Sequence, residues 1–142
     1  MWVGRIGRKG DMAEVDKSEK ITVNVGLVDL GQIDLLVNEG FYANRTDFSR
    51  TAIRRQLESR STAVNGTIAR RALVLGTQYY SRQELEALRD AGQMVEIRVL
   101  GLATIANDVS PELALATIAS VEVLGAFRAP QAAKTALASR MV

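Results

Sequence analysis

Between Lys20 and Leu27 the chain reads Lys-Ile-Thr-Val-Asn-Val-Gly-Leu, with Ile21, Val23 and Val25 on one parity and Lys20, Thr22 and Asn24 on the other. Period-two alternation of β-branched and polar residues is the pattern of a half-buried strand. A strand this short is not stable alone, and no other strand lies near enough in sequence to form a hairpin with it. Its backbone amides and carbonyls must therefore be paired from elsewhere. A second copy of the same segment is the simplest source, so the residues around it are expected to fold as a dimer.

The next residues supply the rest of a small module. Asp29 is placed to cap a helix in which Leu30, Ile33, Leu36 and Val37 recur at three- and four-residue spacing, with Gln32, Asp34 and Asn38 on the other face. Gly40 follows the last periodic residue and ends that helix. After a short connection over residues 41–43, Asn44 stands at the N-cap of a second helix. Phe48, Ala52, Ile53 and Leu57 form its apolar stripe, and Arg45, Arg50, Arg54, Arg55 and Arg60 are balanced only by Asp47 and Glu58. The start of such a helix combines unpaired amides with the positive end of the helix dipole, a ready phosphate site. A merely solvated arginine face gives the same pattern.

Composition narrows the function classes. The 142 residues contain neither cysteine nor histidine. Disulfides and thiolate metal sites are thereby removed, and with histidine go the usual general base and the usual zinc ligand. No phosphate-binding glycine loop of the GxxxxGK[ST] or GxGxxG kind occurs. The acidic pairs Glu84 with Glu86 and Asp108 with Glu112 read as solvated. Neither an enzyme nor a cofactor or metal is expected. No apolar run approaches the ~18 residues of a membrane span, and a cytoplasmic location is expected. The net charge is only +2, so any nucleic-acid reading rests on where the arginines lie rather than on their number. Residues 1–19 show no periodicity and are expected to form a flexible arm.

From Lys20 to about Arg60, strand, helix, Gly40, Asn44-Arg45-Thr46-Asp47-Phe48 and arginine-rich helix together resemble the ribbon-helix-helix family of bacterial repressors, in particular its CopG-like members. The resemblance implies that two protomers pair their strands into an antiparallel ribbon that enters the major groove of DNA. Lys20, Thr22 and Asn24 would then face base edges, with donors and acceptors suited to guanine and adenine. By the same resemblance the backbone of Asn44, Arg45 and Thr46, together with Arg50, would hold a phosphate. Ile21, Val23, Val25, Ile33, Val37, Phe48, Ile53 and Leu57 would form the dimer core. Gly26 departs from the pattern, because it offers the groove no side chain.

The C-terminal half carries a repeat. Val74-Leu75-Gly76, Val99-Leu100-Gly101 and Val123-Leu124-Gly125 recur at intervals of 25 and 24 residues. Each is expected to close a short strand (72–75, 95–100 and 121–124) and to be followed by a helix (83–91, 112–119 and 131–139). Ser81 and Ser110 are candidate caps, and Pro111 and Pro130 suit a first turn. The expected fold is thus an α+β ribbon-helix-helix module with a helical extension over residues 20–71. A small α/β domain of short parallel strands and helices follows over 72–142, either a three-unit solenoid or an ordinary α/β layer. Its exposed strand edges imply self-association into higher oligomers. The expected function is a sequence-specific DNA-binding transcriptional regulator associated with the nucleoid. A scaffold or filament protein and the antitoxin of a toxin–antitoxin pair are the alternatives.

Overall fold

The computed structural model describes residues 17–142, so the expected N-terminal arm lies outside the described residues except for its last three. The described residues divide into two compact units. One is Lys20–Arg70; the other is Arg71–Val142, to which residues 17–19 also belong.

The first unit is helical. Residues 20–26 take no regular structure and pair with no strand among the described residues. Helix α1 (Leu27–Asn38) begins at Gly26, which supplies no side-chain cap. Asp29 is therefore not the cap. It sits inside the first turn, where its carboxylate still faces the positive end of the dipole. The helix closes as expected at Gly40, with φ at +86°. The Gly40 amide donates to the Val37 carbonyl at 3.1 Å and the Phe41 amide to the Leu36 carbonyl at 3.0 Å. This interlocked pair satisfies carbonyls that the last turn would otherwise leave open.

Helix α2 (Arg45–Ser59) is capped by Asn44, whose side chain accepts from the Asp47 amide at 2.8 Å. Asp47 answers by accepting from the Ala43 amide at 2.9 Å. Helix α3 (Ser61–Arg71) follows after Arg60. It ends at Ala72, whose φ of 53° is left-handed; the first strand therefore starts later than residue 72.

In the second unit three strands alternate with three helices: β1 (Val74–Tyr80), α4 (Arg82–Asp90), β2 (Val95–Ile105), α5 (Pro111–Thr117), β3 (Ile118–Arg128) and α6 (Gln131–Leu137). The strands form a parallel sheet in the order β1-β2-β3. The sequence repeat is the register of this sheet: Val74, Val99 and Val123 are neighbours, as are Leu75, Leu100 and Leu124, and Gly76, Gly101 and Gly125.

The strands do not end at these glycines but run on for several residues. The reason is conformational. Gly76, Gly101 and Gly125 have φ of +129°, +140° and +119°, a region closed to other residues, so the chain bends there without leaving the ladder. A Cβ on Gly101 would stand 2.2 Å from the Gly76 carbonyl oxygen, and one on Gly125 would stand 2.1 Å from that of Gly101. Only hydrogen fits between successive strands at this level.

One apolar cluster joins the helices to the sheet. Leu85, Leu113, Ala133 and Leu137 from the helices meet Ile97, Val99, Ile105 and Val121 from the strands. Helices α4 and α5 start at serine caps. Ser81 and Glu84 form a reciprocal capping box, and Ser110 accepts from the Leu113 amide with Pro111 in the first turn. Pro130 stands at the N-cap of α6, one place before the first turn.

Glu122 pairs with Arg71 and, at 3.2 Å, with its register neighbour Arg98, whose guanidinium also donates to the Arg71 carbonyl at 2.6 Å. The Glu122 side chain is only 12% exposed, so the carboxylate is shared between two guanidinium groups in a poorly hydrated position. Removing its charge leaves both arginines without their counter-ion. Glu122→Gln is expected to destabilise this unit by about 1–3 kcal/mol, read as a lower melting temperature in circular dichroism.

The last residues reach one edge of the sheet. After a 3-10 turn over Ala138–Arg140, Met141 bridges to Val121, and the Val142 amide donates to the Val121 carbonyl at 2.9 Å. Arg140 donates to the carbonyls of Leu115 and Ile118 at 2.7 Å. The β3 edge is thus partly covered at Val121 by Met141 and Val142.

Candidate nucleic-acid interface

Each residue singled out by the sequence in the first unit can now be located. Lys20, Thr22 and Asn24 are exposed, and so are the residues that alternate with them: Ile21 is 71% and Val23 70% exposed. On α2, Ile53 and Leu57 are 50% and 59% exposed. Ile33, Val37 and Phe48 are half-buried between α1 and α2, where the Phe48 ring meets Tyr42 edge-on at 5.1 Å between centroids. An open groove of about 310 Å³, lined by Asp29, Gln32, Ile33, Leu36 and Phe48, remains between the two helices. No residue from Lys20 to Arg70 is buried.

That last observation decides how the unit can exist. Branched and aromatic side chains at core spacing, still facing water, cannot offset the entropy of ordering the backbone. The unit needs apolar surface from outside itself.

The charged groups form a second pattern. Arg50, Arg54, Arg55 and Arg60 are exposed and have no side-chain partner among the described residues. Arg45 behaves differently. Its guanidinium grips Asp34 of α1 with both nitrogens, Nε to Oδ1 at 2.8 Å and Nη2 to Oδ2 at 2.9 Å. These hydrogen bonds, reinforced by charge attraction, hold the Asp34 carboxyl below its usual range and the Arg45 guanidinium above its own. The pair ties the start of α2 to α1. Sequence reasoning placed Asp34 only on a polar face; a partner eleven positions away gives no periodic signal.

The start of α2 is arranged to leave amides open. Asn44 takes the Asp47 amide, while Arg45 and Thr46 occupy the first two helical positions, whose amides have no partner within a helix. An anion approaching here would meet two amides and the dipole, with Arg50 on the following turn.

The first unit is thus a lead-in segment without regular structure followed by helices with unburied apolar faces, of which the second is basic. Comparison with known families matches residues 16–134 to the ribbon-helix-helix transcriptional regulator family, and the chain belongs to that family. The match extends well past Arg60 and takes in the repeats of the second unit, which the sequence alone left unassigned to any family. No curated protein and no solved structure gave a match. Among the described residues no helix is long and apolar enough to cross a membrane, and no cluster of acidic side chains could hold a metal ion.

Proposed function

We propose that this protein is a sequence-specific DNA-binding transcriptional regulator acting on the bacterial nucleoid, whose residues 20–71 bind as a dimer. Residues 20–26 of two protomers pair into an antiparallel ribbon and lie in the major groove. Lys20, Thr22 and Asn24 face the bases, and Ile21, Val23 and Val25 face the helices. The amides of Arg45 and Thr46 behind the Asn44 cap, with Arg50, hold a phosphate and fix the register of the ribbon on the duplex. Ile33, Val37, Phe48, Ile53 and Leu57 close the core between protomers. Residues 72–142 gather several such dimers on neighbouring sites, raising the effective concentration of each ribbon without new base contacts.

The observation that carries this reading is the absence of any buried residue between Lys20 and Arg70 in a unit with core-type periodicity. The family supports the DNA target. The fold of residues 71–142 weighs against an antitoxin with an unfolded toxin-wrapping tail.

A gel-shift titration with genomic fragments tests it, comparing the intact chain with the triple variant Lys20→Ala, Thr22→Ala, Asn24→Ala. The intact chain is expected to prefer some fragments, with affinity falling steeply as salt rises because phosphate contacts release counter-ions. The triple variant stays folded and dimeric and loses the preference, each lost bidentate base contact being worth about 1–3 kcal/mol. Equal binding of all fragments by the intact chain would move the scaffold reading ahead.

A further inference from the structure

We propose that Arg128 is a positioning residue for the base-reading segment: through Ser18 and Glu19 it fixes the point from which residues 20–26 set out. The inference rests on the ribbon reading of DNA proposed above and gives the second unit a part in it.

The first support is where the chain joins the two units. Residues 17–19 group with Arg71–Val142, so Lys20–Arg70 is set between two stretches of the same unit. Both junctions are held from β3. At the first, the Arg128 guanidinium donates to the Ser18 carbonyl at 3.3 Å and to a Glu19 carboxylate oxygen at 3.2 Å. At the second, Glu122 pairs with Arg71, whose carbonyl also accepts from Arg98.

The second support is that the two anchors share one face of the sheet. Val121 belongs to the apolar cluster formed with the helices, and Val123 and Phe127 pack against it. Val123 and Phe127 flank Gly125 and both reach that cluster, so the bend leaves the alternation of the strand intact. Glu122 and Arg128 therefore lie on the opposite face. One rigid strand holds both ends of the inserted residues.

The third support is that folding stability does not account for the Arg128–Glu19 pair. The Glu19 side chain is 69% exposed and that of Arg128 32% exposed, and an exposed ion pair adds little to stability. Its effect is local. Glu19 immediately precedes Lys20, the first base-facing residue of the proposed ribbon. Residues 20–26 take no regular structure in the single chain. Anchored at Glu19, they sample fewer conformations before they pair and dock, which lowers the entropy cost of ordering them on DNA. Non-specific attraction to phosphates gains nothing from this, because it depends on charge rather than register. The anchor thus acts on the preference among sequences.

Glu19→Arg separates the two effects in the full chain. It adds positive charge beside the ribbon, which by itself tightens binding to every duplex, while loss of the anchor weakens the preferred duplex alone. The quantity measured is the ratio of affinities for a preferred genomic fragment and an unrelated duplex of equal length. It is compared among the intact chain, Glu19→Arg, and Glu19→Arg combined with Arg128→Glu, which re-forms the pair with its charges exchanged. A dimer carries two anchors, and the ratio is expected to fall roughly 3- to 10-fold in the single variant. It is expected to recover in the double variant, with mass and melting unchanged in both. A ratio unaltered by Glu19→Arg would overturn the proposal, and so would a lowered ratio that the double variant fails to restore. An intact chain that prefers no fragment removes the ribbon reading and this inference with it, whereas a preference indifferent to Glu19→Arg removes this inference alone.

Discussion

Alanine in place of Gly101 is expected to lower the melting temperature of the C-terminal unit by roughly 10–50 °C. Two costs combine. The backbone at φ +140° lies where an L side chain is strained by about 1–3 kcal/mol. The new Cβ also stands 2.2 Å from the Gly76 carbonyl oxygen, a backbone atom that cannot swing aside. Strand β1 must move away and its ladder to β2 loosens, a further cost on the order of 1–3 kcal/mol. With about 4–8 °C lost per kcal/mol in a domain of this size, the melting shift follows. Gly76→Ala is the internal control. It carries the strain without the overlap among the described residues, so its loss is expected to be about half as large.

Leu57→Glu provides the second large effect, and it separates two pictures of the N-terminal unit. Leu57 is 59% exposed in the single chain, where an exposed substitution would ordinarily change stability by no more than about 0.5 kcal/mol. If Leu57 belongs to a core shared by two protomers, the same change buries an unpaired carboxylate at the centre of the dimer. The expected cost is then about 3–5 kcal/mol, which weakens dimerisation by at least about 100-fold. Sedimentation equilibrium is expected to show a shift toward monomer, accompanied by loss of helical circular dichroism from this unit. A variant with unchanged mass and unchanged melting would remove Leu57 from the core.

What could be read in the sequence, and what could not, divides along physical lines. Asn44 was legible as a cap because capping is local: a short polar side chain three residues before an acid at a helix start has few other uses. The Val-Leu-Gly repeat was legible as stacked units because parallel strands in a repeat stay in register, and Val74, Val99 and Val123 are neighbours in the sheet.

Long-range and conformational facts were not legible. The glycines looked like strand ends because glycine usually punctuates; a bend within a continuing strand needs a neighbouring carbonyl that sequence does not display. The Asp34–Arg45 pair joins two helices, and the Arg71, Arg98 and Glu122 cluster joins three elements, so neither has a periodic signature. Asp29 is not the cap of α1. It favours the start of α1 from inside the first turn, while the chain enters the helix at Gly26.

The central claim is that two copies of residues 20–26 form a ribbon that reads DNA sequence. Selection of bound duplexes from a randomised pool by the full chain, at moderate salt, tests it most directly. The account predicts enrichment of an inverted-repeat sequence reflecting the two-fold axis of the ribbon, and loss of that enrichment when Lys20, Thr22 and Asn24 are all alanine. A pool that stays random through successive rounds, or an enriched sequence that the triple variant selects equally well, would contradict it.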